Sequence, residues 1–314
     1  MKPWFGLHLP NYTFPDARPE ALFDQLAEQA RTAEDSGFAL VTVMDHLFQI
    51  QGVGPEADPM LEAYSVLAAL ARETKRVRLG TLVTGVTYRN PAYLAKQATA
   101  LDVISGGRAI FGIGAAWNED EHRAFGYTFP PVKERMDRLE DALQIAKGMF
   151  TGERFTFEGR YTSVDNVLDS PPPVQAGGPK ILVGGGGEQR TLRIAAKYAD
   201  MTHWFPMGGV PAMQHKTEVL AGYCAEIGRN PDEIERTMGA PVVVVRNDSE
   251  REAFLERIPE ERRPHLTVGP PQLCADALKP FVDAGMTGFT FNNNVYKTHD
   301  AIKSVAEVLE LLGA

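Results

Sequence analysis

Short apolar, β-rich runs alternate with longer segments of helical period along the chain, and repeated βα units of this kind build a parallel sheet covered by helices. The first unit shows the pattern: Trp4 to Leu9 reads as a strand, 10–19 as a polar, proline-containing loop, and 20–35 as a helix with Leu22, Leu26, Ala30 and Ala33 on one face before Gly37 ends it. Further strands are expected at 38–44, 76–84, 108–113, 180–183, 200–204, 239–246 ("GAPVVVVR") and 287–293 ("TGFTFNN"). The alternation breaks once. Residues 151–179 read as a β-hairpin, "GERFTFEGRYTSVDNVL", followed by a rigid return, "SPPPVQAGGP", and so as an insertion between strands 4 and 5. Eight strands and eight principal helices in strict order specify an α/β fold, a (β/α)₈ TIM barrel in one domain over 1–314, in preference to an open doubly wound sheet.

Charge and composition narrow the partners. The net charge is −9 with Lys and Arg scattered, which leaves no basic face for a nucleic-acid backbone. Cys224 and Cys274 have neither metal-ligand nor redox spacing, and the N-terminus "MKPWFGLHLPNY" lacks a signal-peptide apolar region. No run is long enough to cross a bilayer. A cytoplasmic protein acting on a small molecule is expected, without membrane or nucleic acid, and as a homodimer.

Barrel enzymes place their chemistry on the rim formed by the residues that follow each strand. Here that rim carries Asn11 and Tyr12, Asp45 and His46, Thr84, Gly85 and Thr87, residues 114–118, the run Gly184, Gly185, Gly186, Gly187, then His203 and Trp204, and finally Asn292 to Asn294. It holds no lysine at a strand end, which weighs against Schiff-base chemistry. Four glycines between a strand and a helix have two readings: an anion seat of bare N–H groups aided by the helix dipole, or a tight turn that needs positive φ. The run is neither a P-loop nor a dinucleotide fingerprint. In "MDHLF", His46 is either a proton donor or acceptor at neutral pH or a loop histidine satisfied by backbone. A metal site is not expected. His8 lies inside a strand, no His-x-His pair exists, and carboxylates are missing from matching strand ends.

The run "LGTLVTGVTYRNPAYLAKQATALDVISGGRAIFGIGAAWNEDEHRAFGYTF", with "ERMDRLEDALQIAKGMF" and "PKILVGGGGEQRTLRIAAKYAD", resembles the bacterial luciferase-like flavin and deazaflavin oxidoreductases, and more narrowly their coenzyme F420-dependent branch. The resemblance extends over nearly the whole chain and implies the same barrel with an insertion. It implies that the ring of F420, or of FMN as the alternative cofactor, lies over the barrel mouth against a bulge at Leu82, Val83, Thr84 and Gly85, often with a non-proline cis peptide. It further implies His46 as the catalytic proton partner, Asp45 and Ala115 as cofactor contacts, and Gly184 to Gly187 as the seat of the side-chain phosphate. Asn11, Tyr12, Trp117, His203 and Trp204 of the rim are expected to line the substrate pocket. Trp117 departs from the family: its F420-dependent sugar-phosphate dehydrogenases place an acidic residue there, so an apolar, aromatic substrate wall is expected in place of sugar-phosphate oxidation. The activity implied is hydride transfer between the deazaflavin and a small organic substrate. The alternatives are an FMN-dependent monooxygenase and a flavin- or deazaflavin-binding protein without turnover.

Overall fold

A computed structural model describes residues 2–15 and 18–313. Strands β1 (Trp4–Leu9), β2 (Leu40–Val43), β3 (Arg78–Thr81, resuming at Thr84–Gly85), β4 (Ala109–Gly114), β5 (Lys180–Gly184), β6 (Met201–Trp204), β7 (Glu235–Gly239) and β8 (Gly288–Asn292) pair in parallel. β1 pairs with β8, and β3 pairs with β4, so the sheet closes on itself. The principal helices are α1 (Leu22–Asp35), α2 (Ala63–Glu73), α3 (Pro91–Ser105), α4 (Val132–Met149), α5 (Thr191–Tyr198), α6 (Gly209–Glu226), α7 (Pro271–Asp283) and α8 (His299–Leu311). This is the (β/α)₈ barrel that the alternation predicts.

Local chemistry explains the punctuation. Asn90 accepts from the N–H groups of Ala92 and Tyr93 with Pro91 at the first helical position, and Gly106, at φ 69°, ends α3 in the left-handed conformation. The insertion is present: Phe155–Glu158 and Ser163–Val167 pair antiparallel. Asp141 of α4 anchors its turn by accepting from the N–H groups of Arg160, Tyr161 and Thr162 at 3.2, 2.8 and 3.2 Å.

One strand lies elsewhere than expected. The seventh barrel strand is Glu235–Gly239, "ERTMG", whereas Val242–Val244 from the apolar "VVVV" run leaves the barrel and pairs with Thr267–Gly269 in a separate two-stranded sheet. The displacement has a physical cause. β7 carries polar residues into the barrel, so the apolar alternation that betrays a strand is missing from it. Glu235 accepts from Trp4 Nε1 at 2.9 Å, Lys180 Nζ at 3.1 Å and Arg78 Nη1 at 3.2 Å. These residues plug the N-terminal end of the barrel, with Arg78 stacked 4.7 Å from the Trp4 ring.

Burial alone would raise the Glu235 carboxyl, yet Arg78 and Lys180 hold it below its ordinary value of 4.5. Its contribution to stability is therefore present above that pH and fades as pH falls through the depressed folded value. Glu235→Ala strands Arg78 beside Trp4 and should cost about 2 kcal/mol, less than a fully buried pair because Lys180 is half exposed. Urea unfolding at pH 7 checks this, and an unchanged midpoint would show the plug to be idle.

Above the plug, Leu40, Ile110, Leu182 and Met201 fill the barrel interior, and Leu82 and Val83 pack on them from the mouth side. The outward faces of the strands join the helices in a larger apolar cluster that includes Phe5, Leu67, Leu143 and Trp204.

Candidate active site at the barrel mouth

Thr81 ends the first segment of β3, and the chain passes through a cis Leu82–Val83 peptide before pairing resumes at Thr84. The expected interruption is therefore at the expected residues. Val83 is crowded by glycine backbone: a Cβ on Gly184 would lie 2.7 Å from its side chain, and one on Gly114 2.9 Å. Bare backbone on β4 and β5 thus makes room for Val83 to lean across the interior. Thr84 is buried and turned aside, with its Oγ1 3.0 Å from Thr81 Oγ1 and 3.2 Å from the Tyr64 hydroxyl. Gly85 has no room for a side chain, because Tyr88 and Ala116 would lie within 3.0 Å of a Cβ.

His46 follows β2 and sits at the mouth. Its Nδ1 lies 2.6 Å from Glu121 Oε2, and its ring lies 5.4 Å from the exposed Trp117, edge to face. Glu121 is fully buried and also accepts from the Leu47 N–H at 2.5 Å and the Tyr88 hydroxyl at 2.8 Å. Burial alone would raise the Glu121 carboxyl, but donation from His46, Leu47 and Tyr88 holds it below its ordinary value, so it is an ionised acceptor. Nδ1 of His46 must then carry the proton it donates, which leaves Nε2 without a hydrogen-bond partner among the described residues.

Glu121 escaped the sequence reading. "NEDE" matches a capping box, in which the fourth residue reaches back to the cap. Asn118 does cap the Glu119–Ala124 helix, but the Glu121 side chain turns to His46 instead. The next residue, His122, braces that short helix, with Nδ1 2.6 Å from the Asn118 carbonyl and Nε2 2.6 Å from Thr87 Oγ1.

Other expectations land differently. Asp45 is buried, and both its oxygens face Arg89, at 2.5 and 3.0 Å. Arg89 is held in turn by Glu62 at 2.7 Å, so Asp45 also fixes a loop. Trp204 is not a pocket residue. Strand alternation turns His203 inward and Trp204 outward, where it lies 1% exposed among the helices. Phe205 and Met207, which the sequence reading passed over, stand exposed just beyond it on the rim. Asn11 is tied to Asn293 through backbone, and its own Oδ1 accepts from Thr13 N–H at 3.0 Å. Tyr12 is buried with its hydroxyl unpartnered among the described residues, and burial, Asp45 and Glu62 raise its pKa. Ala115 lies half-buried beside Gly114, its carbonyl accepting from Arg135 Nε at 3.1 Å.

The tetraglycine leaves β5 at Gly184, and Gly185 has φ +113°, which an L side chain rarely adopts. The Gly185 N–H donates to the His203 carbonyl at 3.0 Å, while those of Gly186 and Gly187 have no acceptor among the described residues. Lys216 of α6 lies over the loop, its Nζ donating to the Gly186 carbonyl at 2.8 Å. The rim thus does carry a lysine, supplied by a helix and not by a strand end, which is why a search of strand ends missed it. The two readings of the glycines are compatible: the turn needs positive φ at Gly185, and the N–H groups of Gly186 and Gly187, without acceptors among the described residues, lie beneath an ammonium that is 3.6 Å from Glu188 Oε1.

A family model described as luciferase-like monooxygenase matches residues 5–265. The chain belongs to that family. Among curated relatives, an F420-dependent glucose-6-phosphate dehydrogenase of Nocardia farcinica is 28% identical over 306 residues, covering 85% of this chain and 87% of that protein. Solved structures share the barrel at low identity. An F420-dependent secondary alcohol dehydrogenase in complex with an F420-acetone adduct aligns at TM-score 0.79 and 19% identity, covering 98% of this chain and 99% of that one. A monooxygenase from Streptomyces bottropensis aligns at TM-score 0.83 and 22% identity over the whole of both chains. The structural likeness to both kinds of enzyme shows the fold and does not choose between their chemistries. Among the described residues, no helix is long and apolar enough to cross a membrane.

Proposed function

We propose that the chain is an F420-dependent oxidoreductase that transfers a hydride between the deazaflavin and a small organic substrate, with His46 as the proton partner. The observation that carries the role of His46 is its link to Glu121: a buried carboxylate fixes Nδ1–H and leaves Nε2 without a hydrogen-bond partner among the described residues. The choice of F420 over FMN is supported by the names of the curated relatives, among them the Nocardia farcinica enzyme.

The chain's own residues fit the cofactor. Leu82 and Val83 offer an apolar back wall for a flat ring, packed from below by Leu40, Ile110, Leu182 and Met201. Gly186 and Gly187 offer unpaired N–H groups and Lys216 a positive charge to a side-chain phosphate. When bound, F420 supplies a carbon centre that gives or takes hydride and does not readily add oxygen. His46 takes the hydroxyl proton when substrate is oxidised, or returns it when a carbonyl is reduced, and Glu121 stabilises the imidazolium in between. Trp117, Phe205 and Met207 present apolar surface around the opening, which suits an uncharged organic substrate.

Turnover under argon tests the cofactor chemistry. With F420 and a panel of simple alcohols, the account expects the deazaflavin absorption band to bleach without oxygen. Activity that needs air and reduced FMN would move the assignment to the monooxygenase, for which the Streptomyces neighbour is the structural precedent.

A further inference from the structure

His203 lies on the inner face of β6, paired in register with Gly184 of β5, and Gly184 is packed against Val83. It is therefore the polar side chain next to the ring wall described above. Its Nδ1 is 2.9 Å from Thr237 Oγ1. That hydroxyl has one proton, and it donates it to the Thr202 carbonyl at 2.6 Å. Thr237 can only accept from the histidine, so Nδ1 carries the proton. A neutral imidazole protonated at Nδ1 has a bare lone pair at Nε2, and Nε2 makes no hydrogen bond among the described residues. Burial lowers the His203 pKa to about 4, and burial followed by the nearness of His203 lowers that of His8 to about 3, so both rings are uncharged at neutral pH.

We infer that His203 Nε2 is a cofactor-binding acceptor for an N–H donor on the cofactor ring, and that Thr237 sets this role by locking the tautomer. Flavin and deazaflavin rings both carry such a donor, the N3–H of the pyrimidine edge. An imidazolium at this position could not accept it. The inference rests on the placement of the ring against Leu82 and Val83 under "Proposed function", and it holds whichever of the two cofactors is native.

The test is a binding cycle using 5-deaza-FMN and its N3-methyl derivative, which share a phosphate and differ in the single donor. The parent should bind the N3–H form about 5- to 10-fold more tightly, the scale of one net hydrogen bond. His203→Phe, close in volume and without an acceptor, should bind the two within about 2-fold, and His203→Gln, which restores an acceptor, should recover part of the preference. Thr237→Val frees the tautomer and should blunt the preference while leaving the ring in place. Discrimination that survives in folded His203→Phe would overturn the inference, as would a parent that binds both analogues equally. A folded parent that binds neither analogue would refute the ring wall itself, and the role of His203 would fall with it.

Discussion

On the proposed roles, with the imidazole as proton partner and the ring against Leu82 and Val83, His46→Ala should lower kcat by about 10²-fold or more while the affinity for F420 changes little. Glu121 makes the prediction sharper. Glu121→Gln keeps an acceptor for His46 Nδ1 but removes the charge that stabilises the imidazolium, so kcat should fall by an intermediate amount. The assay needs a substrate whose conversion exchanges a proton with the enzyme. Unchanged turnover of such a substrate by a folded His46→Ala protein would pass the role to Tyr12, whose buried hydroxyl has no partner among the described residues.

The second large effect is expected at Gly185. A Cβ there meets Thr191 Cγ2 at 3.5 Å, an ordinary contact, so space is not the obstacle; the φ of +113° is. Gly185→Val must move the backbone out of the loop conformation and with it the N–H groups of Gly186 and Gly187. F420 affinity should drop at least about 10-fold with the far-UV spectrum unchanged, since the loop lies outside the barrel core. A deazaflavin lacking the side-chain phosphate should bind parent and variant alike. Lys216→Gln should weaken F420 in the same selective way but less, because it removes a charge and leaves the loop. Equal F420 binding by parent and Gly185→Val would refute the phosphate seat.

The parts legible in the sequence were those in which one residue type has one physical use. Helical period and glycine stops revealed the βα units, and the residues that follow strands gave most of the rim. The seventh strand was hidden because its inward residues, Glu235 and Thr237, are polar for reasons that lie on other strands: Arg78 and Lys180 for one, His203 for the other. The "VVVV" run has the stronger strand character and serves a peripheral sheet. Glu121 and Lys216 were missed for a related reason. Each reaches the site from a helix, across 75 residues to His46 in one case and 30 to Gly186 in the other, and no local pattern records such a reach. Trp204 was misjudged by one position, which in a strand reverses the face: its neighbour His203 points into the mouth and it does not.

The most direct measurement is a parallel titration of the purified protein with F420 and with FMN, each oxidised and each followed by its own fluorescence. An F420-dependent oxidoreductase with this ring wall and glycine loop should bind F420 to saturation with at least about tenfold preference over FMN. Saturable FMN binding with no detectable binding of F420 would contradict the account.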